Sequence, residues 1–347
     1  MEVNSRNAST MLVDMMYIMN VYRKDHTRMT RVGQAVELPG VTTLRYTAPR
    51  ERVLFAEMRN ANPFFHLMES IWIIAGREDV EFIGYFLNNI KLYSDDGIKF
   101  NASYGNRMRS HFGMDQLTEV VKHLENSFRS RQAVIQLWDP NDINKDTKDR
   151  ACNLNLVFSI PEGKVNLTVF NRSNDVWFGA VGANAVQFSQ IQEVVAIAMG
   201  LEMGDYYQVS NNMHMYLELY PQANYAMEVP VRVKDNRYAT ESLKPYRLNT
   251  ECNLTGLAWI DEFTRCCNEF CDDPFGDRVY PLAYFNDVIV PMAMAFKHHK
   301  EHNLIEEIHS MNRVKADDWR IAGKEWLNRR LAAKRAKLND GTTGSES

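Results

Sequence analysis

The most reactive pair of residue types in this sequence is a cysteine expected to lie beside an arginine. Cys152 precedes one predicted strand, Arg172 follows a second, and the two strands are expected to form a hairpin. A guanidinium beside a thiol stabilises the thiolate, so Cys152 is predicted to be a nucleophile near neutral pH. The polar run at 171–175 supports this, because polar residues after a buried strand need hydrogen-bond partners. The alternative is a buried structural cysteine.

Glu69 is the only charged residue in an otherwise apolar segment at 63–75. That segment predicts a core helix, with Pro63 in its first turn and Gly76 after its end. A carboxyl group in such a helix is desolvated, which raises its pKa and lets it move protons or order water. The alternative is a glutamate paired with a structural arginine.

Three further groups of residues carry weaker signals. His214 and Tyr216 would share one face of a strand and offer hydrogen bonds to a sugar or base, although a satisfied core histidine is the commoner outcome. A cysteine cluster on a predicted helix has no matching ligand pair, so no zinc site is expected (Cys266, Cys267, Cys271). A basic run near the end predicts a solvated helix face (Arg329, Arg330, Lys334, Arg335, Lys337).

The elements that must position these residues are helices and strands without strict alternation, which favours an α+β fold. Periodicity predicts helices at 63–75, 115–127, 185–199, 256–271 and from about 316, and strands at 132–138, 153–160, 164–171, 205–210 and 228–234. Residues 1–315 are predicted to form one catalytic domain, and residues 316–347 a charged helical tail that ends in a disordered segment.

The register of the hairpin follows from its apolar pattern. If facing residue numbers sum to 325, Leu156 faces Val169 and Phe158 faces Leu167, so one face is apolar. The same register places Cys152 opposite Ser173.

Composition excludes several classes of protein. The 347 residues include 40 Lys+Arg and 44 Asp+Glu, a net charge of -4, so a general nucleic-acid-binding surface is not expected and an anionic ligand needs a local arginine cluster. No apolar run is long enough to span a membrane, and no signal-peptide pattern is present. The five cysteines are expected to be free thiols in the cytoplasm. The sequence has no Gly-rich nucleotide-binding fingerprint.

Several motifs occur in one order along residues 30–220, and together they resemble the thymidylate synthase and pyrimidine hydroxymethylase superfamily. The motifs are Glu69 in MESIW, Tyr104-Gly105, Ser130-Arg131, Cys152, the RSND run at 172–175, Asn184, and His214-Met215-Tyr216. The phrase RSNDVWFG is most similar to the phage deoxynucleotide hydroxymethylases. The resemblance implies a homodimer that pairs through a large mixed sheet, acting in the host cytoplasm if the chain is encoded by a phage.

The resemblance also implies a role for each residue. Cys152 would add to C6 of a pyrimidine deoxynucleotide monophosphate, and C5 would then attack a one-carbon unit from 5,10-methylenetetrahydrofolate. Glu69 and Tyr104 would serve proton transfer near C5, and Asp175 would hold the folate pterin. The remaining residues would bind the nucleotide: Arg31, Arg172, Ser173 and Arg131 of the second subunit at the phosphate, Asn184 at the base, and His214 and Tyr216 at the deoxyribose.

Departures from the family pattern bear on substrate and product. In the family an asparagine contacts the base. Asn184 aligns with this asparagine if the present chain has one inserted residue between Gly179 and Asn184, whereas an alignment without the insertion places Ala183 there. An amide suits uracil and a carboxylate suits cytosine, which favours dUMP over dCMP. Tyr93 is the nearest match for the tryptophan that covers the intermediate, and the C-terminus is polar, so water entry and a 5-hydroxymethyl product are expected.

Other readings remain open. Met108, Gln132 and the Ala151-Cys152-Asn153 context also depart from the family pattern. The alternatives are dTMP formation, dCMP hydroxymethylation, and a nucleotide-binding protein without catalysis. A weaker possibility is RNA binding through the basic C-terminal helix.

Overall fold

The computed structural model describes residues 1–219, 222–223 and 236–339, and the strands within them form two sheets. The strands are β1 (Glu2–Ser5), β2 (Thr27–Thr30), β3 (Gly33–Glu37), β4 (Thr42–Tyr46), β5 (Val134–Gln136), β6 (Asn153–Ser159), β7 (Lys164–Asn171), β8 (Asn174–Asp175), β9 (Glu202–Ser210) and β10 (Met213–Tyr216). The predicted strand at 228–234 lies outside the described residues.

The larger sheet mixes parallel and antiparallel pairs. Its order is β1-β4-β9-β7-β6-β5, with β1–β4 and β7–β9 parallel and the other pairs antiparallel. The smaller sheet has the order β2-β3-β10-β8, and its β10–β8 pair is parallel. These sheets and the surrounding helices confirm the predicted α+β class with a large mixed sheet.

The helices surround the sheets. They are α1 (Ala8–His26), α2 (Pro63–Ile74), α3 (Val80–Phe86), α4 (Gln116–Asn126), α5 (Asn184–Ala198), α6 (Gly256–Asp272), α7 (Val290–Lys300), α8 (Leu304–Arg313) and α9 (Asp317–Asn339). Helices α2, α4, α5, α6 and α9 confirm the five predicted helices in type and approximate extent, whereas α1, α3, α7 and α8 were not predicted. Short helical turns lie at Tyr104–Asn106 and Arg237–Thr240, and π-helical segments at Arg107–His111, Val176–Ala183 and Phe285–Ile289. None of these helices has the length and apolar character that a membrane-spanning segment needs.

Helix α2 begins and ends where its sequence signals predict. The Asn62 side chain accepts a hydrogen bond from the Phe65 amide at 3.1 Å, and Pro63 occupies the first turn. The helix ends before Gly76, which has a φ of +80° that glycine adopts without strain. Along α2 every side chain is buried except that of Glu69, which is partly buried, so the helix is part of the core, as predicted.

The hairpin of β6 and β7 has the predicted register except at its open end. Leu156 pairs with Val169 and Phe158 with Leu167, which confirms the prediction there. A bulge at Leu154 then shifts the pairing by one residue, because the Leu154 carbonyl accepts from the Leu137 and Trp138 amides. The placement of Cys152 opposite Ser173 is therefore wrong.

Cys152 instead lies opposite Arg172. The Arg172 amide donates to the Cys152 carbonyl at 3.0 Å, one residue out of the register that holds further along the strands. The bulge thus brings the arginine itself to the position across from the thiol.

One face of the larger sheet is not covered by any described element. Residues that point to this face are only partly buried along β5, β6, β7 and β9, whereas those pointing to the other face are buried. Helix α5 contacts β7 and β9, and helix α4 contacts β5. The uncovered face includes apolar side chains, among them Val157, Val209, Phe170 with an exposed fraction of 37% and Val134 with 41%.

The predicted C-terminal helix exists, and its first half packs into the core. Trp319 and Trp326 of α9 are buried, and the Trp326 ring lies 5.6 Å from that of Phe64 in α2. The division of the chain at residue 315 stays a prediction, and the segment expected to be disordered at the end lies outside the described residues.

Candidate active site

The thiol of Cys152 and the guanidinium of Arg172 lie side by side at the open end of the hairpin. Arg172 Nη2 is 3.6 Å from Cys152 Sγ. The guanidinium is held there by backbone carbonyls, since its Nε donates to the Ala151 oxygen at 2.8 Å and its Nη2 to the Arg150 oxygen at 3.2 Å. It also lies 6.0 Å from the centre of the Trp138 ring. The two predicted residues are therefore brought together by the bulged strand end.

Burial raises the pKa of the Cys152 thiol, which corrects the prediction of a lowered one. Arg172 acts in the opposite direction and favours the thiolate, while Asp149 and Asp175 disfavour it. Desolvation outweighs the single guanidinium, so the sulfur carries its proton in this structure. Attack on an electrophile therefore requires that the proton leave as the bond forms.

Tyr104 lies next to the sulfur. Its hydroxyl receives backbone hydrogen bonds from Cys152 and Asn153, and burial together with the nearby sulfur raises its pKa. Its ring packs 5.9 Å from that of Phe188 on α5. Tyr104 therefore remains a neutral phenol that can donate a hydrogen bond beside Cys152.

Glu69 is the acid that the sequence predicts in the core, and its partner is an amide rather than an arginine. Gln187 of α5 donates its Nε2 to Glu69 Oε2. Burial raises the pKa of Glu69 to about 8, and the Gln187 hydrogen bond partly opposes this. Because Gln187 lies one helical turn after Asn184, the carboxyl group and the Asn184 amide are held by the same face of α5.

Asp175 and His214 are neighbours across the parallel pair of β8 and β10. Asp175 Oδ1 accepts from the Phe178 amide at 2.6 Å, while its buried Oδ2 has no hydrogen-bond partner among the described residues. Burial raises the pKa of Asp175, and the Phe178 amide, His214, Arg59 and the Tyr216 amide oppose this. The unpaired oxygen is available to a ligand that donates an N–H group.

His214 and Tyr216 share one face of β10 and are in contact. Their rings lie 4.8 Å apart edge to face, and His214 Nδ1 bonds Asn212 Oδ1 at 2.8 Å. Burial lowers the pKa of His214 and raises that of Tyr216, whose hydroxyl also experiences the charges of Asp175 and Cys152. His214 and Tyr216 therefore lie near both the Asp175 carboxyl group and the Cys152 sulfur.

The π-helical segment Val176–Ala183 leads directly into Asn184. A π turn holds one residue more than an α turn, so it accommodates the insertion after Gly179 that the sequence analysis requires. Asn184 Nδ2 donates to Asn174 Oδ1 at 3.2 Å, and Asn184 Oδ1 accepts from Asn153 Nδ2 at 3.5 Å. The Asn184 amide therefore lies among polar side chains of the site.

Four predicted residues are less closely joined to this group. Ser173 is half-buried next to Arg172, and Arg31 is exposed in the turn after β2, near enough for its charge to act on the Tyr216 hydroxyl. Arg131 is exposed before β5. Tyr93 has an exposed fraction of 57% and makes none of the side-chain contacts that join the other site residues of the described chain.

Sequence reasoning missed Arg59 and His66. The Arg59 guanidinium lies over the rings of Trp177 at 5.6 Å and Phe178 at 5.8 Å, and its Nε donates to the Trp177 carbonyl. Burial, followed by the charge of Arg59, lowers the pKa of His66 to about 3, so His66 is neutral. The signal that could have identified Arg59 is its charge three positions after the apolar run at 53–56, close to a segment that is expected to be buried.

The chain is similar to known proteins in its sequence and in its fold. The family model described as thymidylate synthase matches residues 15–242. A deoxyuridylate hydroxymethyltransferase of Pseudomonas phage M6 is 37% identical over 98% of both chains, and one of Bacillus phage SP01 is 40% identical over 59% of this chain and 57% of its own. The thymidylate synthase of T4 phage has the same fold, with a TM-score of 0.57 and 17% identity over 73% of this chain and 91% of its own.

Proposed function

This chain belongs to the thymidylate synthase family, and from that membership we propose that it transfers a one-carbon unit to C5 of dUMP and forms 5-hydroxymethyl-dUMP. The observation that carries the proposal is the Cys152 thiol beside Arg172, in a chain similar over nearly its full length to a deoxyuridylate hydroxymethyltransferase. A nucleophile with an adjacent cation suits addition to the ring of an anionic nucleotide.

The chemistry begins with the sulfur. Cys152 Sγ adds to C6 of the uracil ring, and the electron pair of the C5–C6 double bond moves to C5 and O4. Because the thiol starts protonated, its proton passes to a nearby acceptor as the S–C6 bond forms. The Tyr104 hydroxyl accepts from the Cys152 and Asn153 amides and keeps its own proton, which it can donate to stabilise the negative charge that develops at this end of the site.

The residues present fit 5,10-methylenetetrahydrofolate as the source of the one-carbon unit. The unpaired, buried Asp175 Oδ2 can accept from an N–H of the pterin ring. When bound, the folate supplies a methylene group at the oxidation level of formaldehyde. Addition of water to that carbon, rather than hydride, yields the hydroxymethyl product, and the exposure of Tyr93 supports access of water.

The ionised form of Glu69, which is present in part near neutral pH, is suited to remove the proton that C5 must lose. A carboxyl group with a pKa raised to about 8 exchanges protons near neutral pH, through an ordered water if it does not reach C5 directly. Gln187 fixes its orientation. Release of the product then reverses the S–C6 addition and returns the thiol.

The nucleotide phosphate would lie against Arg172 and Ser173. The Nε and Nη2 groups of Arg172 donate to backbone oxygens and to the sulfur, whereas its Nη1 makes none of these contacts in the described chain. Nη1 is therefore the group of Arg172 that would donate to the phosphate. Arg31 lies in an exposed turn and could fold over the phosphate, while His214 and Tyr216 offer hydrogen bonds to the deoxyribose.

A second copy of the chain would complete the site. The uncovered face of the larger sheet presents Val157, Phe170 and Val209, which suits an isologous sheet-to-sheet contact. Arg131, exposed before the edge strand β5, would then reach the phosphate of the partner subunit. An equal mixture of Arg131→Ala and Cys152→Ala chains should recover roughly a quarter of the activity, through mixed dimers with one intact site; no recovery would contradict the shared site.

The test of the reaction is mass spectrometry of the product after incubation with 5,10-methylenetetrahydrofolate and equal amounts of dUMP and dCMP. We expect 5-hydroxymethyl-dUMP without stoichiometric dihydrofolate. Formation of dTMP together with dihydrofolate would make the chain a methylating enzyme instead. Binding of dUMP without release of tritium from C5 would indicate a non-catalytic protein. Cys152→Ala is the control, because it removes the nucleophile from an otherwise intact site.

A further inference from the structure

Asn184, which is partly buried, is the first member of a series of side-chain amides that ends at a backbone carbonyl. Asn184 Nδ2 donates to Asn174 Oδ1 at 3.2 Å, and Asn174 Nδ2 donates to Gln208 Oε1 at 2.7 Å. Gln208 Nε2 in turn donates to the Ala180 carbonyl oxygen at 2.8 Å. Asn174 and Gln208 are both buried. These four residues, Asn184, Asn174, Gln208 and Ala180, are called the amide relay below.

The Ala180 carbonyl fixes the direction of the amide relay. A carbonyl oxygen only accepts, so the nitrogen of Gln208 must face it and the oxygen of Gln208 must face Asn174. The same reasoning then requires that Asn174 presents its oxygen to Asn184, and that Asn184 presents its nitrogen. Reversal of any one amide would oppose two nitrogens or two oxygens in a buried place, which folded proteins avoid.

Neighbouring groups strengthen this direction. Asn174 Nδ2 also donates to Ser210 Oγ at 3.2 Å, and the Tyr46 hydroxyl donates to the same Ala180 oxygen at 2.8 Å. Gly179 permits the close approach, because a Cβ at that position would lie 2.8 Å from Asn174 Oδ1. The orientation of Asn184 is therefore set by residues up to three amides away.

The orientation of Asn184 matters because uracil and cytosine present opposite hydrogen-bond patterns. Uracil offers an acceptor at O4 and a donor at N3, whereas neutral cytosine offers a donor at the C4 amino group and an acceptor at N3. An asparagine in one orientation matches uracil, and the same asparagine turned by 180° matches cytosine. The identity of residue 184 alone therefore does not determine which base is accepted.

We propose that Asn174 and Gln208 are positioning residues that hold the Asn184 amide in the uracil-reading orientation and thereby exclude cytosine. This inference rests on the proposed function, since it takes Asn184 as the group that contacts the base of dUMP. Neither positioning residue needs to touch the nucleotide. Each acts by preventing the rotation of an amide that would otherwise accept either base at little cost.

The test compares kcat/KM for dUMP and for dCMP in Asn174→Leu, Gln208→Met and the double variant. We expect the ratio of the two values to fall about tenfold in each single variant, mainly because turnover of dCMP increases. In the double variant the ratio should be no lower than in the single variants, since Asn174 and Gln208 act in series on one amide. General loss of stability would lower both values together and leave the ratio unchanged.

The matched control is Gln192→Met, which removes another buried glutamine. Gln192 lies on α5 and donates to the Val165 carbonyl at 2.8 Å, outside the amide relay. Its replacement should leave the dUMP to dCMP ratio unchanged. If the relay variants do not fold, Gly179→Ala tests the same contact, because its methyl group would displace Asn174 from Asn184.

The outcomes separate failure of this inference from failure of the proposed function. A wild-type chain that forms 5-hydroxymethyl-dUMP, with relay variants or Gly179→Ala that keep the wild-type ratio, would overturn the positioning role alone. A wild-type chain that uses dUMP and dCMP equally would overturn it as well. A wild-type chain that gives no product from dUMP would refute the proposed function, and the inference with it.

Discussion

Replacement of Glu69 by glutamine is expected to remove a pH-dependent cost of folding. Burial raises the pKa of Glu69 to about 8 from an ordinary value of 4.5. Between these values the folded chain keeps the proton and the unfolded chain releases it, so the free energy of unfolding falls as the pH rises. Glutamine carries no such proton, and the size of Gln matches that of the protonated acid.

The expected change in the free energy of unfolding follows from the pH range between the two pKa values of Glu69. Each pH unit within it corresponds to ~1.4 kcal/mol. From about pH 5 to about pH 7, the free energy of unfolding of the wild type should therefore fall by roughly 3 kcal/mol relative to Glu69→Gln. Above about pH 8 the two proteins should change in parallel. Urea unfolding followed by tryptophan fluorescence at a series of pH values measures this difference.

Activity provides a second measurement on the same variant. Glu69→Gln should release tritium from C5 of labelled dUMP about 10²- to 10⁴-fold more slowly, because an amide cannot carry the proton. Glu119→Gln is the control for both measurements, since Glu119 is an exposed carboxyl group of α4 paired with Lys122. If the wild type and Glu69→Gln show the same dependence of stability on pH, the raised pKa of Glu69 is refuted, and unchanged release of tritium would refute its role in proton transfer.

Three other substitutions test separate parts of the site. Cys152→Ala should retain dUMP affinity but release no tritium from C5; measurable release would assign the nucleophile elsewhere. Asp175→Asn should raise the KM for the folate about tenfold with little change in dUMP affinity, because the amide keeps an oxygen for the Phe178 amide but alters the group that faces the pterin; an unchanged KM in steady-state kinetics would argue against pterin binding there. Phe170→Lys, on the uncovered sheet face, should give a monomer in sedimentation velocity and lose activity, whereas an active monomer would contradict the shared site.

Local patterns in the sequence determined much of the framework. The apolar alternation of the hairpin specified its register, because a slip by one residue would move every apolar side chain to the wrong face. Pro63, Gly76 and the all-round apolar character of α2 specified that helix and identified Glu69 as an acid inside the core. These features depend on neighbours within a few residues, so the sequence alone contains them.

The tertiary structure decided the features that depend on distant parts of the chain. The bulge at Leu154 depends on the Leu137 and Trp138 amides, which follow β5. It places Cys152 opposite Arg172 and not opposite Ser173 as predicted. The sign of the Cys152 pKa depends on burial by the whole fold, which outweighs the neighbouring charge. The direction of the Asn184 amide depends on Gln208 and the Ala180 carbonyl, which no local spacing connects to it. Hydrogen-bond direction and desolvation are properties of a packed environment, so spacing along the sequence identified the chemical groups, and only the packing determined their protonation and orientation.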